Sequence, residues 1–563
     1  MAITIRGPDD VPDGTPMAVS LRSTRELATG SWRTFRPIYV TRPSPCNLDC
    51  PAGTDVRAVL TLAGEGDAVG AWRTIVERNP LPAVCGRVCY HPCETACNRR
   101  ALDERVAIHA IERAIAAEAA RSNAAAAIAG GLPPATGKGV AIVGSGPAGL
   151  SCAYQLARLG HRAVVFEAAD EPGGMLRYGI PAYRLPREVL AGEIALLRTL
   201  GIEFNFGRRL GATLSWNDLA GFDATFVAVG KQRSKASGVP GETLTGVRPA
   251  LDVLREVNSG QASCVAGRVV VVGGGNTALD AARVALRHGA ATTILYRRSR
   301  REAPAHPAEI AQAEREGVRF VFHAAPARYN ASAAGVLTAV DCQRMRPGPP
   351  DESGRSSPLP IPGDTFSIAC DHVLTATGEE LDDDAFGDAL RIARGRLEAD
   401  RWGRTTSAPL FAGGDAATGA GTVVDAIGSG RRAAEAIHAS LAGGIVSAEA
   451  GDARVEVPDL NLFYFFRAAR LDESLLQPVE ATSGFREVVQ PLAWEDAMAE
   501  ARRCLSCGAC TACGNCVVFC PDAAVQHADG GGYAIDYAHC KGCGICITEC
   551  PRGAMALVPE EAR

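Results

Sequence analysis

The stretch CLSCGACTACGNCVVFC, from Cys504 to Cys520, carries six cysteines at intervals that suit metal ligation. Cys510, Cys513, Cys516 and Cys520, followed by Pro521, spell C-x2-C-x2-C-x3-C-P. Cys540, Cys543, Cys546 and Cys550, followed by Pro551, repeat that spelling thirty residues later. In such a run a tight turn aims three thiolates at one face of a cubane, and the fourth cysteine ligates the other cluster. The implied cofactors are two [4Fe-4S] clusters. One takes Cys510, Cys513, Cys516 and Cys550, the other Cys540, Cys543, Cys546 and Cys520. Tetrahedral zinc also accepts C-x2-C pairs, but two complete copies ending in C-P favour iron-sulfur. Cys504 and Cys507 fall outside this register.

A second kind of chemistry is written in glycines. GVAIVGSGPAGLSCAYQLARLGHRAVVFEA reads as a strand, a turn with Gly144, Gly146 and Gly149, a helix, and a second strand ending at Glu167. Glycines there let the backbone approach a pyrophosphate at the helix N-terminus, and a terminal acid accepts from a ribose diol. The unit recurs at RVVVVGGGNTALDAARVALRHGAATTILYRRSRREAPA, from Arg268 to Ala305, with Gly273 and Gly275 in the turn and Ala278 in the third place. Asn276 and Thr277 open its helix. Where the first copy has Glu167, the second has Tyr296 followed by Arg297 and Arg298. An acid would repel a 2′-phosphate and a guanidinium pairs with one, so this copy favours NADPH, with NADH the alternative. A solvated basic loop is the other reading of these arginines, since Arg300 and Arg301 stand beside them.

These turns need parallel sheets to hold them, and the chain has the length for three or four domains at 563 residues. Its 47% apolar and 21% charged residues are ordinary for a globular protein, and a net charge of −5 gives no case for nucleic acid or an anionic membrane. MAITIRGPDDVPDG shows no basic-then-apolar leader, and no apolar run reaches the length of a membrane span. The Ala-rich piece from Ile108 to Ile128 is interrupted by Glu112, Arg113, Glu118 and Arg121, and reads as a helix running into the linker GGLPPATGKG. Sixteen of the twenty cysteines sit near the two ends of the chain. This pattern fits metal ligation in a reducing cytoplasm better than disulfides. The other four, Cys152, Cys264, Cys342 and Cys370, read as small buried hydrophobes.

Beyond the glycine turns, three stretches are distinctive: GRVCYHPCETAC (Gly86 to Cys97), GGMLRYGIPAYRLP (Gly173 to Pro186) and YRRSRREAPA (Tyr296 to Ala305). Through them the chain resembles, from about Cys46 to Ile437, the small subunit of glutamate synthase and the electron-input half of dihydropyrimidine dehydrogenase. The resemblance implies an α/β fold with two nested Rossmann-like domains, one for FAD and one for NADPH. It adds a helical N-terminal iron-sulfur domain, and the cysteine repeat adds a C-terminal α+β ferredoxin domain of bacterial type. The expected boundaries are an extension over 1–45, the helical domain over 46–130, the FAD domain over 137–240 and 373–445, and the inserted NADPH domain over 246–372. A linker and docking segment over 446–500 and the ferredoxin domain over 501–563 complete the chain.

The same resemblance places Gly174, Leu176 and Arg184 along the FAD. Likeness to two-dinucleotide flavoproteins adds Gly414 and Asp415, with Thr422, from LFAGGDAATGAGTVVDAIGSGRRAAEAI, and marks FVAVG and VLTATG as chain crossovers. The glutamate synthase and dihydropyrimidine dehydrogenase resemblance implies two N-terminal clusters, yet the first lacks its leading C-x2-C before Cys46 and Cys50. The run AMAEARRCLSCG resembles the segment that carries the missing pair. Cys504 and Cys507 are therefore expected to join Cys46 and Cys97 in one cubane, the alternative being a degenerate site with two unliganded remnants. The second cluster takes Cys50, Cys89 and Cys93, with Cys85 or Glu112 as its fourth ligand. The implied activity is electron transfer between NADPH and a redox partner. That partner is another subunit, of a 2-oxoacid oxidoreductase or glutamate synthase, or a free ferredoxin, and the subunit reading makes a hetero-oligomer. A non-enzymatic cofactor-bearing scaffold is the contrasting reading, which the intact nucleotide turns oppose.

Overall fold

The computed structural model describes residues 28–124, 131–261, 265–351, 354–419, 421–446 and 453–560. Cys264 lies outside them. Two five-stranded parallel sheets form the centre. In the first the order is Leu410–Ala412, Ala224–Val227, Gly139–Val143, Arg162–Phe166 and Glu203–Asn205. Its central strands are continuous apolar runs because both faces are covered, one by helix Pro147–Arg158 and the other by a cluster that includes Leu210, Leu214, Phe386 and Leu390, and Val140, Ala141 and Ile142 have no exposed surface. Helices Pro147–Arg158 and Val423–Leu441 pack closely on one another, with Gly430 set against the Ala148 carbonyl.

The second sheet runs Arg319–Phe322, Ala291–Tyr296, Arg268–Val272, His372–Thr375 and Val247–Pro249. A three-stranded antiparallel sheet, Ala324–Ala331, Leu337–Pro350 and Ser356–Ala369, is attached to it. This corrects the boundary expected at residue 373. His372–Thr375 lies between Arg268–Val272 and Val247–Pro249, where both of its edges are hydrogen-bonded. The inserted domain therefore keeps this strand, and the first domain resumes after it.

The N-terminal domain is helical, with Val56–Glu65, Ala68–Val76, Pro82–Val88 and Ile108–Arg121. Asp55 and Asp67 cap the first two by accepting from the Ala58 and Gly70 amides, so one orphan N–H at each helix start is satisfied. Trp72, Ile75, Ile111 and Ile115 fill the core between them. Gly86 lies on helix Pro82–Val88 where it meets Ile108–Arg121, and a Cβ there would come 2.6 Å from the Arg113 Cα.

The ferredoxin module departs from a self-contained reading. Its last strand, Met555–Pro559, pairs antiparallel with Phe35–Tyr39, over five residue pairs from Phe35↔Pro559 to Tyr39↔Met555. Arg33 reinforces the seam, with Nε 2.6 Å from Glu560 and Nη1 donating to the carbonyls of Tyr537 and Cys540. The described part of the expected 1–45 extension thus belongs largely to the module. Trp32 remains exposed at 72%, whereas Tyr39 packs on Cys516 and Met555.

From residue 453 to 493 an irregular strap crosses the molecule. Asn461 donates to the Thr548 carbonyl in the ferredoxin module, and Arg470 pairs with Glu94 at 3.0 Å in the helical domain. Helix Pro478–Thr482 packs on Pro307–Glu316 of the inserted domain. Among the described residues no helix is long and apolar enough to cross a membrane.

Because Gly86 sits against backbone that cannot yield, Gly86→Ala should push the two helices apart. Overpacking of this kind costs about 1–3 kcal/mol, so anaerobic thermal unfolding should show a lowered midpoint. An unchanged midpoint would mean the helices accommodate the methyl group.

Candidate functional site

One cleft of about 1550 Å³ opens between the two sheets. Gly144, Ser145, Gly146, Glu167, Gly174, Met175, Leu176, Gly414, Asp415 and Thr422 line it from the first domain. Gly144 has φ +104, and a Cβ there would stand 2.5 Å from the Ala228 carbonyl oxygen. Gly174, at φ +54, abuts the Gly146 Cα, so the two backbones touch with no side chain between them. Gly149 lies under this turn, packed on the Gly144 carbonyl. The Glu167 carboxylate accepts from the Ser145 and Ala169 amides at 2.8 and 2.9 Å, which fixes it in the cleft wall. Thr422 caps helix Val423–Leu441. Burial pushes the Asp415 carboxyl up, and the Gly421 amide donates to it.

The inserted domain contributes Asn276, Thr277 and Asp280 from the start of helix Asn276–Arg287. Gly273 and Gly275 precede them, and Gly273 has φ +148 with its Cα side against the Ala376 carbonyl. Arg297 is exposed beyond strand Ala291–Tyr296. Arg298 requires a correction. Its guanidinium turns inward, donates to the Ser356 carbonyl at 2.8 Å and pairs with Asp351, and the residue is 7% exposed. It is a structural ion pair and not a free phosphate reader. Arg301, by contrast, is exposed like Arg297.

Arg184 is expected along the FAD. It lines the cleft, but its Nη1 donates to Asp280 at 2.8 Å and its Nε lies 3.2 Å from Glu309. Its charge fastens the two nucleotide domains together. The third wall of the cleft is Val88 and Tyr90, from the loop that carries Cys89. Tyr90 stacks on His306 with ring centroids 5.0 Å apart, and its hydroxyl lies 3.4 Å from Arg184. Nothing in the sequence marked Tyr90 except its place beside a cysteine.

The cysteines gather in four groups. Burial pushes the Cys46 thiol up, and Cys504, Cys97 and Cys507 add to the shift by repulsion. Cys507, pushed up to about 12 by burial, feels Cys504 and Cys97 in turn. A second group joins Cys50, Cys89 and Cys93. Glu112 acts on Cys50, Cys85 and Cys89, and burial pushes its carboxyl up to about 8. Cys85 is itself 1% exposed, and burial pushes its thiol well up, with Glu112 and Cys89 adding to the shift. In the ferredoxin module Cys516 feels Cys510, Cys513 and Cys550, while Cys546 feels Cys540, Cys543 and Cys520. The fourth member of each group comes from the other copy of the repeat. Cys152, Cys342 and Cys370 are buried and apart from these groups.

Residues 138–431 match the pyridine nucleotide-disulphide oxidoreductase family, 36–124 match the 4Fe-4S cluster domain II of dihydropyrimidine dehydrogenase, and 509–555 match a 4Fe-4S dicluster domain. The chain belongs to the pyridine nucleotide-disulphide oxidoreductase family. It is 39% identical to the NADP(+)-dependent formate dehydrogenase subunit beta of Moorella thermoacetica, over 84% of this chain and 71% of that one. It is 41% identical to the NADPH-Fe(3+) oxidoreductase subunit beta of Geobacter sulfurreducens, over 70% of this chain and 63% of that one. The glutamate synthase [NADPH] small chain of Escherichia coli is 34% identical over 70% of this chain and 87% of its own length. Among solved structures, Mycobacterium tuberculosis FprA in complex with NADPH aligns with TM-score 0.48 at 19% identity, over 56% of this chain and 88% of that one.

For this member of the oxidoreductase family the cofactors are FAD, NADPH and [4Fe-4S] clusters. The donor sets fit them. The glycine cradle at Gly144, Gly146 and Gly174 leaves backbone facing the cleft, as a pyrophosphate requires. Buried thiols that resist ionising beside one another become thiolates when a cation shares them.

Next to the cysteines, His109 is held between Glu94, 2.7 Å from Nδ1, and Glu473, 3.0 Å from Nε2. Burial opposes its charge, but the hydrogen bonds to Glu473 and Glu94 prevail and its pKa rises to about 9. Stacked on it at 4.0 Å, His91 is driven the other way, to about 3, by burial and by the His109 charge. Because the folded pKa of His109 exceeds its ordinary 6.5, the stabilisation is complete below pH 6.5 and fades as pH rises through about 9. The amount is on the order of 3 kcal/mol. His109→Gln should therefore lower the anaerobic melting midpoint most at pH 6, with the gap from wild type narrowing by pH 9.5. A gap that stays constant across this range would show that His109 is not held as an imidazolium.

Proposed function

We propose that this chain takes electrons from NADPH and delivers them one at a time to a partner redox subunit, as the input subunit of a larger oxidoreductase. One observation carries the reading. A single cleft has the first glycine turn on one side, the second helix start on another, and the Cys89 loop, through Val88 and Tyr90, as its third wall. FAD, when bound, exchanges a hydride with the nicotinamide and releases single electrons to iron-sulfur centres. The protein's contribution is placement. Gly144, Gly146, Glu167, Gly174, Leu176, Gly414, Asp415 and Thr422 would hold the flavin nucleotide. Gly273, Gly275, Asn276 and Thr277 would hold NADPH, and Arg297, with Arg301 nearby, would face the 2′-phosphate. Arg184 and Asp280 fix the two nucleotide sites relative to one another.

The proposed cluster ligands follow the four thiol groups. Cys46, Cys97, Cys504 and Cys507 hold one cluster across the two ends of the chain. Cys50, Cys89 and Cys93 hold the second, with Glu112 or Cys85, both of them buried and acting with Cys89, as the fourth ligand. The two remaining clusters occupy the ferredoxin repeat. The beta subunits of formate dehydrogenase and NADPH-Fe(3+) oxidoreductase are parts of larger assemblies by name, which supports a partner subunit over free action. Anaerobic mixing with NADPH should bleach the flavin and then raise reduced-cluster EPR signals. Absence of bleaching would remove the reading.

Arg297→Ala should weaken NADPH by roughly ten- to a hundredfold, since a charge-assisted contact is worth about 1.5–3 kcal/mol. NADH affinity should stay within experimental error. Equal losses in titrations of both nucleotides would show that Arg297 does not read the 2′-phosphate.

Replacing Cys504 and Cys507 together by serine should remove the iron of one cluster and its EPR signal while the ferredoxin pair persists. Retention of all the iron would assign the pair to no cluster.

A further inference from the structure

Tyr39 lies more than four hundred residues from the ferredoxin repeat in sequence, yet it ends the strand that completes the module, opposite Met555. Its ring forms part of the wall of a small cavity lined also by Cys510, Cys513, Cys516, Cys550 and Tyr533. Its hydroxyl oxygen is 3.2 Å from the Cys516 Sγ. A metal-bound thiolate has no proton to give, so in the loaded protein the phenol is the donor.

The two halves of the repeat differ at this point. Cys546 is the counterpart of Cys516, and among the described residues no side chain donates a hydrogen bond to its sulfur. Arg33 approaches the other half through the Cys540 carbonyl, but its charge is matched by Glu560 on two sides, at 2.6 and 2.7 Å. Tyr533, which shares the cavity with Tyr39, donates its hydroxyl to the Ala512 carbonyl at 2.9 Å and not to a sulfur.

We propose that Tyr39 is a tuning residue which raises the reduction potential of the cluster held by Cys510, Cys513, Cys516 and Cys550, making the two ferredoxin clusters unequal. The inference rests on the ligand assignment above. A hydrogen bond to a ligating sulfur favours the reduced cluster, because added electron density on sulfur strengthens the bond. The cluster carrying Tyr39 is then the one on which an electron settles. The N-terminal strand therefore supplies a redox determinant as well as a seam.

The test is an anaerobic potentiometric titration of the full-length holoprotein, followed by EPR, with iron counted in each sample. Tyr39→Phe should keep the full iron content, lower the midpoint of one ferredoxin cluster by a tenfold shift in its reduction equilibrium, 59 mV for one electron, and leave the other in place. Tyr533→Phe, which removes a hydroxyl from the same cavity without touching sulfur, should shift neither midpoint comparably. Intact iron with unmoved midpoints in Tyr39→Phe would overturn the proposal. So would an equal shift in Tyr533→Phe, which would make the effect one of cavity polarity. If Tyr39→Phe loses iron, 3-fluorotyrosine at position 39 decides, because it keeps ring and hydroxyl while making a stronger donor. A raised midpoint then supports the proposal and an unchanged one overturns it. Failure of the ligand assignment would look different, with wild-type protein lacking two ferredoxin-type clusters by iron count.

Discussion

Buried thiols oppose one another's ionisation, and much of this chain is arranged around relieving that opposition. Cys46 and Cys97 come from the helical domain and Cys504 and Cys507 from the far end, yet beyond burial Cys504, Cys97 and Cys507 all push the Cys46 thiol up. Their convergence requires the chain to close on itself. Closing a loop of several hundred residues is less costly than its length suggests, since each doubling adds only about 0.6 kcal/mol. The junction is then held by polar contacts. Arg57 bridges the carbonyls of Arg42 and Cys507, and Asn98 donates to the Val455 carbonyl and, at 3.7 Å, to the Cys507 sulfur. Glu500 accepts from the Ala107 and Leu471 amides, and Arg503 reaches Asp103. The two ends of the sequence behave as one structural unit.

A comparable constraint governs the nested nucleotide domains. Arg184 from the first meets Asp280 from the second in a buried pair, and Tyr183 beside it donates to Asp280 at 3.2 Å. The Tyr183 ring is covered by Arg287, 3.7 Å from its centroid, which in turn pairs with Glu316. Separating the domains would break the Arg184–Asp280 pair and the Tyr183–Asp280 hydrogen bond together. The cleft walls are set by packing before a nucleotide arrives, which is the form of placement that hydride transfer needs.

What the residues disclosed in advance follows from how local each signal is. The ferredoxin repeat and both glycine turns are short-range: ligand spacing and turn geometry are fixed within a dozen residues. The placement of Cys504 and Cys507 beside Cys46 was reachable only through resemblance to a family with the missing pair. Pairing of Phe35–Tyr39 with Met555–Pro559 was not legible, because a strand's pattern shows which face is apolar but not which distant strand will accept its hydrogen bonds. Arg298 shows the same limit for a side chain. Its position after the strand is legible in the sequence, but the direction of its guanidinium is decided by Asp351, over fifty residues away. VLTATG was placed in the wrong domain for a related reason: an apolar strand joins the sheet that offers two free edges, and here that sheet was the inserted one.

The added module raises the question of whether it moves. A carrier on a flexible tether meets its donor at an effective concentration set by linker length, so each transfer waits on an encounter. Here the module is held along several separate lines. The strand Phe35–Tyr39 pairs with its edge, and Arg42 donates its amide to the Gly508 carbonyl and its guanidinium to the Gly553 carbonyl. The strap adds Asn461 on Thr548, Tyr464 on Glu549, and the Phe465 ring under Arg552 at 5.2 Å. Releasing the module would break all of them together, including backbone pairs whose loss exposes unsatisfied groups. The distances between the thiol groups are thus built into the fold. Electron passage between the clusters of this chain therefore depends on fixed geometry and not on the encounters of a tethered carrier.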